Sequence, residues 1–176
     1  MRIEADKTIA VVVDFQEKLV PVMYEKEEVI RNASILLEGL KILGIPMVVT
    51  QQYTKGLGMT VEPVRGAVGS DEYVDKIAFS VYDDVKERLG GKQFVIVCGI
   101  ESHICVLQTV IDLKANGYVP VLVVDCVSSR KEEDKKIALK RARDEGAILT
   151  TYESVLFELL RVAGTETSKK IQKLIK

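Results

Sequence analysis

The sequence has no tryptophan, a single histidine and only three cysteines among its 176 residues. Because that histidine, His103, stands alone, a metal site built from several histidines of one chain is excluded, and any histidine-based triad depends on one ring. Three cysteines are too few for a disulfide framework and are typical of a reducing compartment. We therefore expect a cytoplasmic protein.

The sequence also lacks an excess of charge and a long apolar run. Lys and Arg number 25 against 26 Asp and Glu, whereas domains that bind nucleic acid usually carry a basic excess. No apolar run reaches the roughly 18 residues of a membrane-spanning helix. Residues 1–8 carry acidic side chains in place of the basic and apolar regions of a secretion signal. We expect no nucleic-acid partner and no membrane partner.

The apolar residues, 47% of the chain, form short unbroken runs. Four runs rich in β-branched residues predict strands buried on both faces of a parallel sheet, at 9–13, 47–49, 94–98 and 121–124. Helices are predicted around 29–43, 106–113, 131–145, 154–162 and 169–176. This alternation predicts an α/β fold: a three-layer α/β/α, doubly wound, Rossmann-like sheet of about six strands, mostly or wholly parallel, in one domain spanning residues 1–176.

In such a sheet, ligands bind beyond the carboxyl ends of the strands, where the strand order reverses. The first predicted strand is followed by Asp14, and the strand at 94–98 is followed by the loop from Gly99 to Cys105. Asp14 and Cys105 are therefore expected to face each other across the switch point.

Cys105 lies at the start of a predicted helix, where backbone N–H groups and the helix dipole favour negative charge. This position predicts a thiol pKa below its usual value of about 8.5, and N–H groups that hold an oxyanion. An unreactive buried thiol is the alternative. Cys98 and Cys126 end apolar strands and are predicted to lie in the core, although Cys126 is also a candidate resolving thiol for an oxidised Cys105.

Two further residues are candidates for acid–base chemistry. Asp14 follows a very apolar strand and is either a base for the thiol proton or a turn or helix-cap residue. Lys76 is a candidate source of positive charge beside the thiolate and the carboxylate. Most lysines lie in solvent, however, and neither composition nor spacing selects this one.

Lys76 is singled out only by a family resemblance. Three segments, VVVDFQ at 11–16, DKIAFS at 75–80 and GIESHICV at 99–106, resemble the signature segments of the isochorismatase-like cysteine hydrolases. The similarity runs over 8–160 and is closest to the small isochorismatase-domain-containing subgroup, which the segments 52–61 and 125–130 also resemble. The resemblance implies Asp14 as base, Lys76 as charge partner and Cys105 as nucleophile.

The resemblance also implies a cis peptide bond between Ile100 and Glu101, with the N–H groups of Glu101 and Cys105 as oxyanion donors. Nicotinamidases of this family hold a metal through aspartate and histidine after the second strand, where this chain has Gln51, Gln52 and Tyr53. Isochorismatases proper lack the cysteine. The sequence therefore predicts a metal-independent hydrolase without cofactor that cleaves a small amide through a thioester intermediate.

The substrate itself is not encoded in a recognisable motif, and a small polar or planar molecule is expected. Relatives in the family assemble, so a homo-oligomer, a dimer or tetramer, is expected too. His103 either contacts substrate, pairs with an acid such as Glu101, or faces solvent or a subunit interface. The alternative function is a non-catalytic or thiol-redox binding protein that retains the hydrolase fold. The side chains predicted to contact substrate are Phe15, Gln16, Gln52, Tyr53, Leu57 and His103.

Overall fold

The computed structural model describes residues 1–176 and contains a six-stranded sheet in the order β3-β2-β1-β4-β5-β6. Every pair of neighbouring strands is parallel, which confirms the predicted doubly wound α/β fold. The strand order reverses between β1 and β4, so the switch point lies there. The strands are β1 (Thr8–Val13), β2 (Met47–Gln52), β3 (Val74–Lys76), β4 (Phe94–Ile100), β5 (Val119–Ser128) and β6 (Ile148–Thr150).

Helices cover both faces of the sheet. They are α1 (Lys26–Ile42), α2 (Thr54–Leu57), α3 (Glu62–Val68), α4 (Tyr82–Val85), α5 (Leu107–Ala115), α6 (Glu132–Asp144), α7 (Tyr152–Leu160) and α8 (Glu166–Ile175). One core lies between the sheet and α1, α3, α7 and α8, and we call it the α1-side core. The other, the α5-side core, lies between the sheet and α4, α5 and α6. None of these helices has both the length and the apolar character of a membrane span.

The two cores explain the unbroken apolar run of β1. Ala10 and Val12 pack in the α1-side core, whereas Val11 and Val13 pack in the α5-side core. Because successive side chains of a strand point to opposite faces, a strand covered on both faces needs an apolar residue at every position.

The structure differs from the sequence-based expectation at β5, which continues to Ser128 rather than ending at 124. Its pairing with β4 jumps from Val97–Leu122 to Gly99–Val127, so β5 contains an irregular stretch around Asp125. That stretch is held by hydrogen bonds, since the Asp125 carboxylate accepts the Tyr152 backbone N–H at 3.0 Å. A polar residue interrupts the apolar pattern without ending the strand.

Gly99 lies on β4 directly beside Val13 of β1, with φ at 137°. A Cβ atom there would lie 2.1 Å from the Val13 carbonyl oxygen. We expect Gly99→Ala to lower the free energy of unfolding by on the order of 3 kcal/mol, from backbone strain and steric overlap together. Urea denaturation measures it.

The matched control is Gly117→Ala, because Gly117 also has a positive φ of 86° but a Cβ atom there would have no neighbour within 4 Å. It therefore carries the backbone strain without the overlap. An equal loss of stability in the two variants would contradict the close approach of β4 to β1.

Candidate active site

A buried ion pair lies at the carboxyl ends of β1 and β3. The Lys76 Nζ is 2.7 Å from Asp14 Oδ2, and both side chains are fully buried. The Thr50 hydroxyl, on β2 between them, donates a hydrogen bond of 2.8 Å to Asp14 Oδ1. The sheet thus brings the predicted base and the predicted charge partner into contact, although they are 62 positions apart in the sequence.

The Lys76 ammonium is surrounded by oxygen atoms. Its Nζ donates to Gln52 Oε1 at 2.6 Å and to the carbonyl oxygens of Ala78 and Phe79, each at 3.1 Å. These bonds use the three N–H donors of an ammonium, so the short contact with Asp14 is electrostatic rather than a further directed hydrogen bond. An ammonium has no lone pair with which to accept a proton, which leaves Asp14 as the base of the pair.

The Cys105 thiol lies beside this pair, in a π-helical turn (Ser102–Val106) that precedes α5. Burial raises the pKa of the Cys105 thiol to about 12. The charge of Asp14 raises the pKa of the thiol too, whereas the charge of Lys76 and the backbone N–H of Glu101 lower it. The predicted low thiol pKa is therefore wrong, because desolvation outweighs the helix start and the opposing charge of Lys76.

Asp14 is affected by the same burial. Desolvation raises the pKa of its carboxyl above the usual value, against the opposing charge of Lys76 and the hydrogen bond from Thr50. A protonated thiol next to a carboxylate whose proton affinity is increased is an arrangement suited to proton transfer from sulfur to oxygen.

Glu101 anchors the π-helical turn that holds Cys105. The peptide bond between Ile100 and Glu101 is cis, and the Glu101 carbonyl oxygen accepts the N–H groups of Ile104 at 3.1 Å and Val106 at 3.2 Å. Its carboxylate accepts the Arg130 backbone N–H at 3.2 Å and the Arg130 Nε–H at 3.1 Å. Glu101, whose backbone N–H acts on the Cys105 thiol, is thus held by hydrogen bonds to both its main chain and its side chain.

His103 points away from the thiol. Its Nδ1 is 2.9 Å from Ser129 Oγ and its Nε2 is 4.0 Å from Asp134 Oδ2. Glu101, the acid suggested by the sequence as a partner for His103, is instead paired with Arg130. The histidine therefore links the π-helical turn to the start of α6, and a substrate contact stays a prediction.

Three of the predicted substrate contacts are occupied by protein. Phe15 is buried in the α1-side core. The Gln16 amide bonds to the N–H and the carbonyl oxygen of Gln52, at 2.7 and 3.0 Å, and to the Gly58 carbonyl oxygen at 2.8 Å. Gln52 itself holds Lys76. A role in substrate binding stays a prediction for these three side chains.

Large apolar side chains remain exposed beside the site. Tyr53, which follows Gln52, is 51% exposed, and Leu57 in α2 is partly exposed. Ile77 and Phe79 follow Lys76 and are 70% and 54% exposed. We call Tyr53, Ile77 and Phe79 the apolar rim. Of these three residues, only Tyr53 was predicted from the sequence. Ile77 and Phe79 could have been predicted as well, because two bulky apolar residues stand in the short segment that follows Lys76.

The other two cysteines lie apart from the site. Cys98 and Cys126 are fully buried in the α1-side core, as predicted, whereas Cys105 packs in the α5-side core. All three are free thiols. Because the sheet separates Cys126 from Cys105, the structure does not bring together the pair that a resolving-thiol role requires.

The fold and the site define a doubly wound α/β protein with a buried carboxylate, ammonium and thiol at its switch point. The chain belongs to the isochorismatase family, since the model of the isochorismatase domain matches residues 8–154. The hydrolase architecture of that family is therefore shared by this chain.

Individual relatives agree with the family match. Isochorismatase domain-containing protein 2 of Danio rerio is 38% identical over 178 residues, which cover 99% of this chain and 89% of the relative. The structure of the MAR1 ribonuclease of Caenorhabditis elegans superimposes with a TM-score of 0.94 at 38% identity, covering 99% of this chain and 92% of that one. The YcaC protein of Escherichia coli, an octameric hydrolase of unknown specificity, has the same fold (TM-score 0.90, 21% identity, 99% and 90% covered).

Proposed function

We propose that this chain is a metal-independent cysteine hydrolase that cleaves the C–N bond of a small amide. Cys105 is the nucleophile, Asp14 the base and Lys76 the electrostatic partner. The observation that supports this proposal is the 2.7 Å ion pair of Lys76 with Asp14, beside which the Cys105 thiol lies. A thiol that is protonated at neutral pH needs an adjacent base to become a nucleophile, and Asp14 is the carboxylate whose charge acts on Cys105.

The proposed reaction has two stages. In the first, Asp14 accepts the thiol proton while the Cys105 sulfur bonds to the amide carbon. The C–N bond of the tetrahedral intermediate then breaks, and the proton on Asp14 passes to the leaving amine, which leaves an acyl thioester. In the second, Asp14 accepts a proton from water as the water oxygen bonds to the thioester carbon, the C–S bond breaks to release the carboxylic acid, and Asp14 returns its proton to the sulfur.

Two charges develop in this sequence, and each has a partner in the site. The carbonyl oxygen becomes an oxyanion, and the proposed donors are the backbone N–H groups of Glu101 and Cys105. The sulfur becomes negatively charged as its proton leaves, and the positive charge of the Lys76 ammonium stabilises it. Neither Glu101 nor Lys76 has to move during the reaction, because Arg130 holds Glu101 and three oxygen atoms hold the Lys76 ammonium.

The substrate is proposed to be small and to carry a planar or apolar part, which the apolar rim would contact. The Tyr53 ring packs against Gly56, where a Cβ atom would lie 2.3 Å from the ring.

The apolar rim also offers exposed apolar surface that contact between copies of the chain would cover. We therefore propose a homo-oligomer, a dimer or tetramer, that acts in the cytoplasm.

The test is to trap the acyl thioester. We would incubate the chain with a panel of primary amides that differ in their acyl group, quench with acid and measure the intact mass. The expected result is a stoichiometric acyl adduct on Cys105 that hydroxylamine removes. Absence of both adduct and ammonia release for every amide would contradict the proposal, as would cleavage of RNA, the substrate class named for the Caenorhabditis elegans relative, in the absence of amide turnover.

The pH dependence of kcat/KM follows from the two pKa shifts. Burial raises the pKa of Asp14 above 3.8, and activity requires its ionised form. As the pH falls, activity should therefore decline at a pH above the usual aspartate value. Because the pKa of Cys105 is about 12, no step is expected near the usual thiol value of about 8.5. A pH–rate profile measures both, and a step near that thiol value would contradict the protonated resting thiol.

A further inference from the structure

Gln52 contacts the Lys76 ammonium with one end of its amide and the chain around that ammonium with the other. Its Oε1 accepts from Lys76 Nζ at 2.6 Å, the shortest of the three bonds that Nζ donates. Its Nε2 donates to the Ile77 carbonyl oxygen at 2.7 Å. The carbonyl oxygens of the next two residues, Ala78 and Phe79, accept the remaining Nζ bonds. Gln52 therefore joins the ammonium to the segment that encloses it.

The main chain of Gln52 is itself fixed on both sides. The Gln16 amide accepts the Gln52 N–H at 2.7 Å and donates to the Gln52 carbonyl oxygen at 3.0 Å. The next residue, Tyr53, donates its N–H to the Lys76 carbonyl oxygen at 2.8 Å. With its backbone held from β1 and β3 together, Gln52 has little freedom to turn its amide toward a ligand.

We propose that Gln52 is a positioning residue, which holds the Lys76 ammonium against the Asp14–Cys105 pair and does not bind substrate. This inference rests on the proposed function, and it replaces the substrate contact that the sequence suggested for Gln52.

The position of Lys76 matters because its contact with Asp14 is electrostatic and undirected. The energy of such a contact depends on the distance between the charges, which other bonds of the ammonium must set. Loss of the Gln52 oxygen would leave one N–H of a buried ammonium unpaired, and the ammonium would move to satisfy it. The charged or titratable groups facing Lys76 are Asp14, Cys105 and the exposed Asp75.

The experiment uses alkylation of Cys105 by iodoacetamide, which needs no known substrate. Alkylation requires the thiolate, so its rate at a fixed pH reports how well Lys76 stabilises negative charge on sulfur. We expect Gln52→Glu, nearly isosteric, to slow alkylation roughly tenfold, the effect of one unit of thiol pKa, because it adds a negative charge beside Lys76. Gln52→Met should slow it less, and Cys105→Ala gives the background.

The kinetic split separates positioning from binding. With an amide substrate, both Gln52 variants should lower kcat in step with alkylation and leave KM close to that of the wild type. A raised KM with unchanged kcat and an unchanged alkylation profile would overturn the inference in favour of a substrate contact. Slower alkylation in a chain that hydrolyses no amide would retain the inference while the proposed function fails.

The matched control is Gln51→Met. Gln51 is the neighbouring buried amide on β2, but it bonds to Thr54 and Thr60 and not to Lys76. In the Gln51→Met variant, Cys105 should be alkylated at the wild-type rate. If Gln51→Met slows alkylation as much as Gln52→Met does, the effect is a general loosening of the loop after β2, and the inference is overturned.

Discussion

Replacement of Cys105 by alanine is expected to abolish hydrolysis of every amide that the wild-type chain accepts, with kcat lowered by a factor of about 10⁴ or more. The reason is chemical, since in the proposed mechanism the sulfur forms the thioester, and no other thiol lies in the α5-side core. The fold should persist, because the substitution removes a single sulfur atom and leaves the rest of the buried residue in place. Steady-state kinetics and circular dichroism measure the two halves of this expectation.

Cys126→Ala is the matched control for that variant. It removes the same sulfur atom from a fully buried position in the α1-side core, on the other side of the sheet from the site. It should lose about 1 kcal/mol of stability and keep the wild-type kcat. Full activity in Cys105→Ala would eliminate the thioester mechanism, and equal inactivation by Cys126→Ala would favour the thiol-redox alternative.

The strands at the centre of the sheet could be predicted because a strand that is buried on both faces has apolar residues at nearly every position. β1 and β4 read as unbroken apolar runs, since their side chains alternate between two cores. β3 and β6 have three residues each and lie at the edges of the sheet. A segment of three residues is too short to show an apolar periodicity. It is a strand because it pairs with the neighbouring strand of the sheet, which the sequence does not reveal.

The site could be predicted in part for the same reason. Asp14 and Cys105 follow central strands, so topology alone placed them opposite each other. Lys76 is on the short edge strand β3 and was selected only by family resemblance. The thiol pKa was predicted with the wrong sign because sequence position shows the helix start but not the desolvation. Gln52 illustrates the same limit, since its partner Lys76 is 24 positions away in the chain.

Lys76→Met should cause the largest loss of stability among single substitutions at the site. It removes the partner of a fully buried carboxylate, and breaking a buried ion pair in this way costs about 3–5 kcal/mol. Catalysis should be lost as well. Without the opposing charge of Lys76, burial raises the pKa of Asp14 still further, so the base takes up a proton.

The pH dependence of that loss has a definite sign. As the pH rises, the unfolded chain releases the Asp14 proton near the usual value of about 3.9, whereas the folded variant retains it to a higher pH. Stability therefore falls as the pH rises from the unfolded to the folded pKa, and the full loss is present above the folded pKa. Urea denaturation should show a difference from the wild type that is smallest in mild acid and increases as the pH is raised toward and beyond neutrality.

Adding Asp14→Asn to Lys76→Met separates stability from catalysis. The double variant replaces two buried charges with neutral side chains of similar size, which is often nearly neutral for stability. Most of the stability lost in Lys76→Met should return, with little pH dependence, while hydrolysis stays absent because the base is gone. A double variant as unstable as the single one would show that Lys76 acts through packing rather than through its charge on Asp14. In that case the electrostatic role of Lys76 beside Cys105 would be contradicted too, since both effects depend on the charge of the same ammonium.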